Sequence, residues 1–146
     1  MNVNNHLAQF TTWYGPGLDG SSPTQDQWKS ILHGPRDKPL TLVNFFKFRE
    51  EAQYSEGPSE KSGQEAFAEY ASVSMPAMQR AGGSFLHVGP FQGMFLGENE
   101  DWDLIAIGSY PDLDALIALY SDEAYRAAFP HRTAACERQK VIVCGE

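Results

Sequence analysis

The chain has 146 residues, 42% apolar and 21% charged, with 11 basic against 19 acidic side chains. That length fits one domain able to bury a core without staples, and a net charge of −8 repels phosphate backbones, which argues against a nucleic-acid partner. No apolar run nears the roughly 20 residues of a membrane helix. The N-terminus has no basic start leading into an apolar run, and the 2 cysteines, Cys136 and Cys144, are too few for a disulfide scaffold and match no zinc spacing. A reduced, cytoplasmic protein is the expectation.

Residues 1–23 are polar and broken by Gly15-Pro16-Gly17 and Gly20-Ser21-Ser22-Pro23, so they read as an arm or loop. Thr24 and Gln27 have the spacing of a capping box, and Trp28, Ile31 and Leu32 follow at i, i+3, i+4, which predicts one short helix ended by His33-Gly34-Pro35. Leu40 to Phe48 predicts a strand whose two alternating phases are both largely apolar, so both faces of its sheet need cover. Arg49 to Gly63 is charged and punctuated by Gly and Pro, and reads as a long loop.

Gln64 to Ala81 is helical by period, with Phe67, Tyr70, Ala71, Ser74, Met78 and Ala81 on one stripe. Pro76 is expected to bend it and Gly82-Gly83 to stop it. A strand follows at Ser84 to Val88, with a continuation from Phe91 to Leu96 left open, and Gly97 to Asp101 reads as a polar hairpin turn. Leu104 to Tyr110 predicts another strand. Asp112 to Tyr120 and Glu123 to about Glu137 predict helices joined at Ser121-Asp122, and Val141-Ile142-Val143 a short last strand.

From Leu40 onward the order is β-α-β-β-α-β, the ferredoxin-like α+β arrangement. Two helices cover one face of four strands and leave the other bare. Here that second face carries large apolar side chains, which a second copy would cover. A symmetric homodimer follows as the expectation. Residues 1–38 form the N-terminal arm with its helix in this reading, and residues 39–146 the barrel domain.

Several stretches together resemble a known bacterial family. They are Pro39 to Arg49, Tyr70, Trp102-Asp103, Ser109-Tyr110-Pro111-Asp112, and Asp122 to Arg126 running into His131-Arg132-Thr133-Ala134-Ala135. The chain resembles, over about residues 24–143, the family "domain of unknown function thirteen-thirty" within the dimeric α+β barrel superfamily. The resemblance implies the same ferredoxin-like dimer and brings no established activity. Wider relatives include cofactor-free monooxygenases, lactone isomerases and haem enzymes. The chain departs from the family pattern at Pro130, where a histidine is common, and at Ser109, where a basic residue is common.

The side chains suited to chemistry come from scattered positions. Tyr125, Ala128, Phe129, Arg132 and Cys136 share one helical stripe, so Arg132 points to the core unless Pro130 rotates it away. A buried guanidinium needs a carboxylate or an anionic ligand. Asp103 and Glu65 are the carboxylates expected to pair with it, and an organic anion is the alternative. His131 and His87 are the acid–base candidates, each balanced against a hydrogen-bonded spectator role. Asn44, Tyr70, Trp102 and Tyr54 complete the expected binding set, Tyr54 sitting in a loop able to fold over a pocket as a lid.

The 4 histidines show no zinc spacing, and the acidic turn lacks a calcium-loop pattern, so neither metal nor cofactor is called for. The function expected is binding of a small organic acid or carbonyl compound in an apolar pocket, with cofactor-free proton transfer beside a carbonyl as its catalytic form. A non-catalytic binding or dimerisation module is the main alternative, and haem binding a weaker one.

Overall fold

The computed structural model describes residues 2–145. Strand β1, Leu40–Phe48, lies at the centre of the sheet. It pairs antiparallel with β5, Leu104–Tyr110, on one side and with β6, Cys136–Gly145, on the other. Strand β4, Ser84–Pro90, adds to β5 and makes the order β4-β5-β1-β6. Helix α3, Gly63–Ala81, and helices α4, Leu113–Ser121, and α5, Glu123–Ala135, complete the β-α-β-β-α-β plan, its second helix split in two. This is the ferredoxin-like α+β fold. No helix among the described residues is long and apolar enough to cross a membrane.

Capping fixes most helix starts. Ser62 and Glu65 form a reciprocal box at the head of α3, and Asp122 accepts the Tyr125 N–H at the head of α5. Gly82 ends α3 at φ +99°, a conformation that favours glycine. Both internal prolines are absorbed: α3 runs through Pro76 and α5 through Pro130 without a break.

Besides the early start of β6 at Cys136, where helix to about Glu137 was expected, three segments differ from the reading. The N-terminal arm carries a helix, α1, Val3–Tyr14, ahead of α2, Gln25–Leu32. Phe10 is fully buried and its ring lies 4.5 Å from that of Trp28, so α1 is part of the core. Val3, Leu7, Phe10 and Tyr14 form its apolar stripe, thinned by the polar residues between them. The long loop after Arg49 is a hairpin of β2, Glu51–Tyr54, and β3, Gly57–Ser62. Its alternation is obscured because Ala52 is its one fully buried apolar side chain among mostly charged neighbours. Phe91 to Leu96 forms no strand. Gly89-Pro90 ends β4, Gly93 has φ +147°, and Phe95 stands fully exposed.

The register sorts the sheet into two faces, because directly opposed residues share a side. Leu42, Asn44 and Phe46 face the helices, together with Ala106, Gly108 and Tyr110 of β5. Val43 and Phe45 face away, with Ile105, Ile107 and Ile142 opposite them. No helix covers this second face among the described residues.

His6 of α1 is buried, stacked on Phe10, and its Nδ1 has no hydrogen-bond partner among the described residues. Burial, helped by the positive charge of Arg36, holds its pKa below the usual 6.5. The unfolded chain therefore takes up this proton first as pH falls through 6.5, and the folded state loses stability until its own lower pKa is passed. Above pH 6.5 the group is neutral in both states and contributes nothing. Melting curves at about pH 7.5 and about pH 5 are expected to show a drop that shrinks in His6→Gln. An unchanged drop would assign the pH dependence to other groups.

Candidate functional site

A cavity of about 160 Å³ lies between the helix-facing side of the sheet and helices α3, α4 and α5. Its walls are mostly apolar, including Phe46, Phe67, Met78, Phe85, Val88 and Leu104. One charged side chain reaches it, Arg132. The helical stripe of α5 survives Pro130, so Tyr125, Ala128, Phe129, Arg132 and Cys136 are all buried. Arg132 itself is 6% exposed.

Its neighbours are neutral. Nε donates to Gln139 Oε1 at 2.8 Å, Nη1 to the Tyr70 hydroxyl at 3.1 Å, and Nη2 makes a long contact of 3.5 Å with Asn44 Oδ1. The rings of Phe46, Tyr70 and Phe129 lie 4.8, 5.6 and 5.6 Å from the guanidinium carbon. No carboxylate pairs with Arg132 among the described residues. The two expected partners are engaged elsewhere. Asp103 accepts from the Phe48 N–H at 2.8 Å and pairs with Lys47, while Glu65 caps α3. Burial opposes the guanidinium charge, but the surrounding oxygens of Tyr70, Tyr120 and Tyr125 favour it, and its pKa stays above the usual value.

Three of the phenols around it are held neutral by burial. Burial pushes the pKa values of Tyr110, Tyr120 and Tyr125 up. Tyr70 and Tyr125 join hydroxyl to hydroxyl at 2.7 Å. Asn44 is oriented by its amide, which donates to Ala106 O at 3.0 Å and so turns Oδ1 toward Arg132. Cys136, behind Arg132, is buried and held as a thiol by a pKa raised to about 11.

Of the expected residues, Asn44, Tyr70 and Arg132 converge on the cavity, and the other four lie outside it. His131 accompanies Tyr54 on the outer side of α5: its Nδ1 is 2.8 Å from the Tyr54 hydroxyl and 3.3 Å from Glu69 Oε2. Glu69 also pairs with Lys61. Tyr54 thus ties the hairpin to α5 and is not a lid over the cavity. His87 is exposed on the edge strand, opposite Ile107 and so on the face away from the helices. Trp102 packs on Phe45 at 5.6 Å and donates to Glu100 at 2.7 Å, covering one end of that same far face.

Gln139 and Tyr125 complete the polar end; Tyr125 was read only as part of the buried stripe of Arg132, and Gln139 escaped the sequence reading. Gln139 was hidden because Cys136 opens a strand where a helix end was expected. A second, open groove beside the hairpin is lined by Arg49, Glu50, Glu51, Gln53 and Glu137. Its charges face solvent and are screened there. Among the described residues no group of three His, Cys, Asp or Glu side chains is placed to hold a metal ion.

A family model described as "Domain of unknown function (DUF1330)" matches residues 59–146, a span that includes Tyr70, Arg132 and Gln139. The chain is similar to the solved structure of the methylated RPA0582 protein, with 32% identity and a TM-score of 0.80 over 86% of this chain and 93% of that one. It is also similar to a structure of the RPA0582 protein of unknown function from Rhodopseudomonas palustris, with 31% identity and a TM-score of 0.78 over 86% of this chain and 95% of that one. No curated protein matches the chain.

Proposed function

The chain belongs to the family described as Domain of unknown function (DUF1330), and from that premise we propose that it is a homodimer that binds a small organic acid at Arg132. Membership brings a fold without a reaction, so the reading rests on the site. The observation that carries it is a buried guanidinium with only neutral partners, at one end of an apolar cavity. An uncompensated buried charge costs several kcal/mol. Three aromatic rings and three neutral acceptors offset part of that, and a ligand carboxylate would offset the rest.

Binding has more support than proton-transfer catalysis. No Asp, Glu, Lys or His lines the cavity, so it holds no side chain suited to a general base at neutral pH. The two imidazoles proposed as acid–base groups, His131 and His87, both lie outside it. Melting the full chain against a panel of small organic anions and matched neutral compounds tests the reading. A ligand at a hundredfold excess over its Kd stabilises by about 2.7 kcal/mol. The reading fails if no anion raises the melting temperature.

The dimer rests on the face away from the helices, where Val43, Phe45, Ile105 and Ile107 form an apolar patch and Ile142 is 45% exposed. A second copy laid on that face buries it symmetrically. Sedimentation velocity is expected to give two copies for the parent and one for Phe45→Glu, which places a charge on the patch. A parent that sediments as one copy at micromolar concentration ends this part of the proposal.

A further inference from the structure

The inference rests on the organic-acid reading above and deepens it by naming the ligand class. We propose that the cavity takes a monocarboxylate whose body is one aromatic ring or a branched aliphatic group of similar size, its carboxylate end-on against Arg132.

Three features of the cavity lead there. The first is which donors remain. A guanidinium has five N–H donors. Gln139 takes Nε, Asn44 faces Nη2, and Tyr70 takes one on Nη1. The side-on edge, formed by Nε and Nη2, is therefore turned toward protein amide oxygens. Two N–H groups remain, both on the terminal nitrogens. One carboxylate has two oxygens to accept them, so the number of remaining donors matches a single carboxylate. A phosphate brings more charge and more oxygens than two donors serve.

The second feature is charge. Arg132 is the one charged side chain in the wall, and the other polar groups there are hydroxyls and the Asn44 amide. One negative charge is matched. A second carboxylate on the ligand would meet Phe67, Met75, Met78 or Leu104 without a partner.

The third feature is size and shape. A cavity of about 160 Å³ is close to the roughly 150 Å³ at which an apolar cavity accepts benzene. It runs across the sheet from Asn44 on β1 to Phe85 and Val88 on β4. That is two strand spacings, or roughly 10 Å, enough for a carboxylate and one ring. Met75, Phe85 and Val88 are 47%, 38% and 49% exposed, so the mouth opens between α3 and the edge strand, away from Arg132. The ligand then enters body-last, with its charge at the closed end. Phe46, Phe67 and the sulfurs of Met75 and Met78 favour a ring in the space between.

Titration calorimetry on the full chain tests this with five probes: benzoate, isovalerate, benzyl alcohol, terephthalate and inorganic phosphate. Benzoate and isovalerate are expected to bind once per chain. Benzyl alcohol, terephthalate and phosphate are each expected to bind at least about tenfold more weakly. Arg132→Met is expected to abolish benzoate binding. Ala71→Phe fills the cavity from α3 with the charge left intact, and is expected to abolish it as well. Terephthalate or phosphate binding as tightly as benzoate overturns the class named here and leaves the organic-acid reading standing. Benzoate binding unaltered by either variant, or no binding by any anion, overturns both.

Discussion

Arg132→Met is expected to fold, to lose organic-anion binding, and to be within about 1 kcal/mol of the parent in stability or above it when no ligand is present. The two halves of that result come from one cause. In the free protein the guanidinium is buried at 6% exposure and has no carboxylate, so removing it relieves a desolvation cost of several kcal/mol. Methionine of similar length keeps contact with Phe46 and Phe129. Against this stand the buried Tyr70 hydroxyl, which keeps its bond to Tyr125, and the amide oxygens of Gln139 and Asn44, each left with one bond fewer. Both amide residues are only half buried, so water can replace what is lost there. If the arginine is instead a structural charge, its neutral network compensates it fully. The same change then costs about 3 kcal/mol or more, as breaking a buried pair does. Urea denaturation of both proteins, with and without an anion from the panel, separates the two cases. A large loss in the ligand-free state would reassign Arg132 to the scaffold.

That the arginine was visible in the sequence follows from helix geometry. Positions i, i+4 and i+7 from Tyr125 fall on one face, and Tyr125, Phe129 and Arg132 occupy them in the fold as well. Tyr70 and Asn44 were readable for the same kind of reason, each sharing a phase with apolar neighbours on a regular element. His131 shows where the reasoning stopped. Consecutive residues on a helix point about 100° apart. The residue beside Arg132 therefore faces Tyr54 and Glu69, on elements that periodicity could not place beside it.

Gln139 illustrates a different gap. It shares a strand phase with Val141 and Val143, but the last strand was read only from Val141 and the helix to about Glu137, which left Gln139 between the two elements. The helix stops at Ala135 because Cys136 is already extended, at φ −100° and ψ 122°, and pairs with Phe48. Tertiary pairing with β1 overrides the local preference there. The N-terminal helix was hidden by its own composition. Asn4, Asn5, Ala8, Thr12 and Trp13 are its exposed positions, so polar and apolar types are mixed on the outer face, and its apolar stripe becomes meaningful only once Trp28 and Tyr120 are placed against it.

Gly63→Ala is expected to cost about 3 kcal/mol or more, at the upper end for a single methyl forced into a packed site. A Cβ at Gly63 would sit 2.2 Å from Arg49 O, 2.7 Å from Ala135 O and 2.8 Å from Arg49 N. All three are backbone atoms, and none can swing aside as a side chain does. They are also bonded to one another's segments: Gly63 donates to Arg49 O at 3.1 Å, and Arg49 donates to Ala135 O at 2.8 Å. These two bonds join the end of β1, the end of α5 and the start of α3 at one point. Room for the methyl can be made only by separating them.

Gly145→Ala, with nothing within 4 Å of the added carbon, is the matched control and is expected to be neutral. The effect reaches the cavity because of what the joined elements carry. Tyr70 lies seven residues along α3 from Gly63, or about 10 Å. Arg132 lies one turn before Ala135. A shift of α3 away from α5 lengthens the 3.1 Å contact between them and frees a donor that the protein now occupies. Any folded fraction of Gly63→Ala is therefore expected to bind carboxylates less selectively than the parent, besides unfolding at lower urea. A loss under about 1 kcal/mol would mean that the start of α3 yields easily, and that the spacing of Tyr70 and Arg132 is set by the ligand instead of the scaffold.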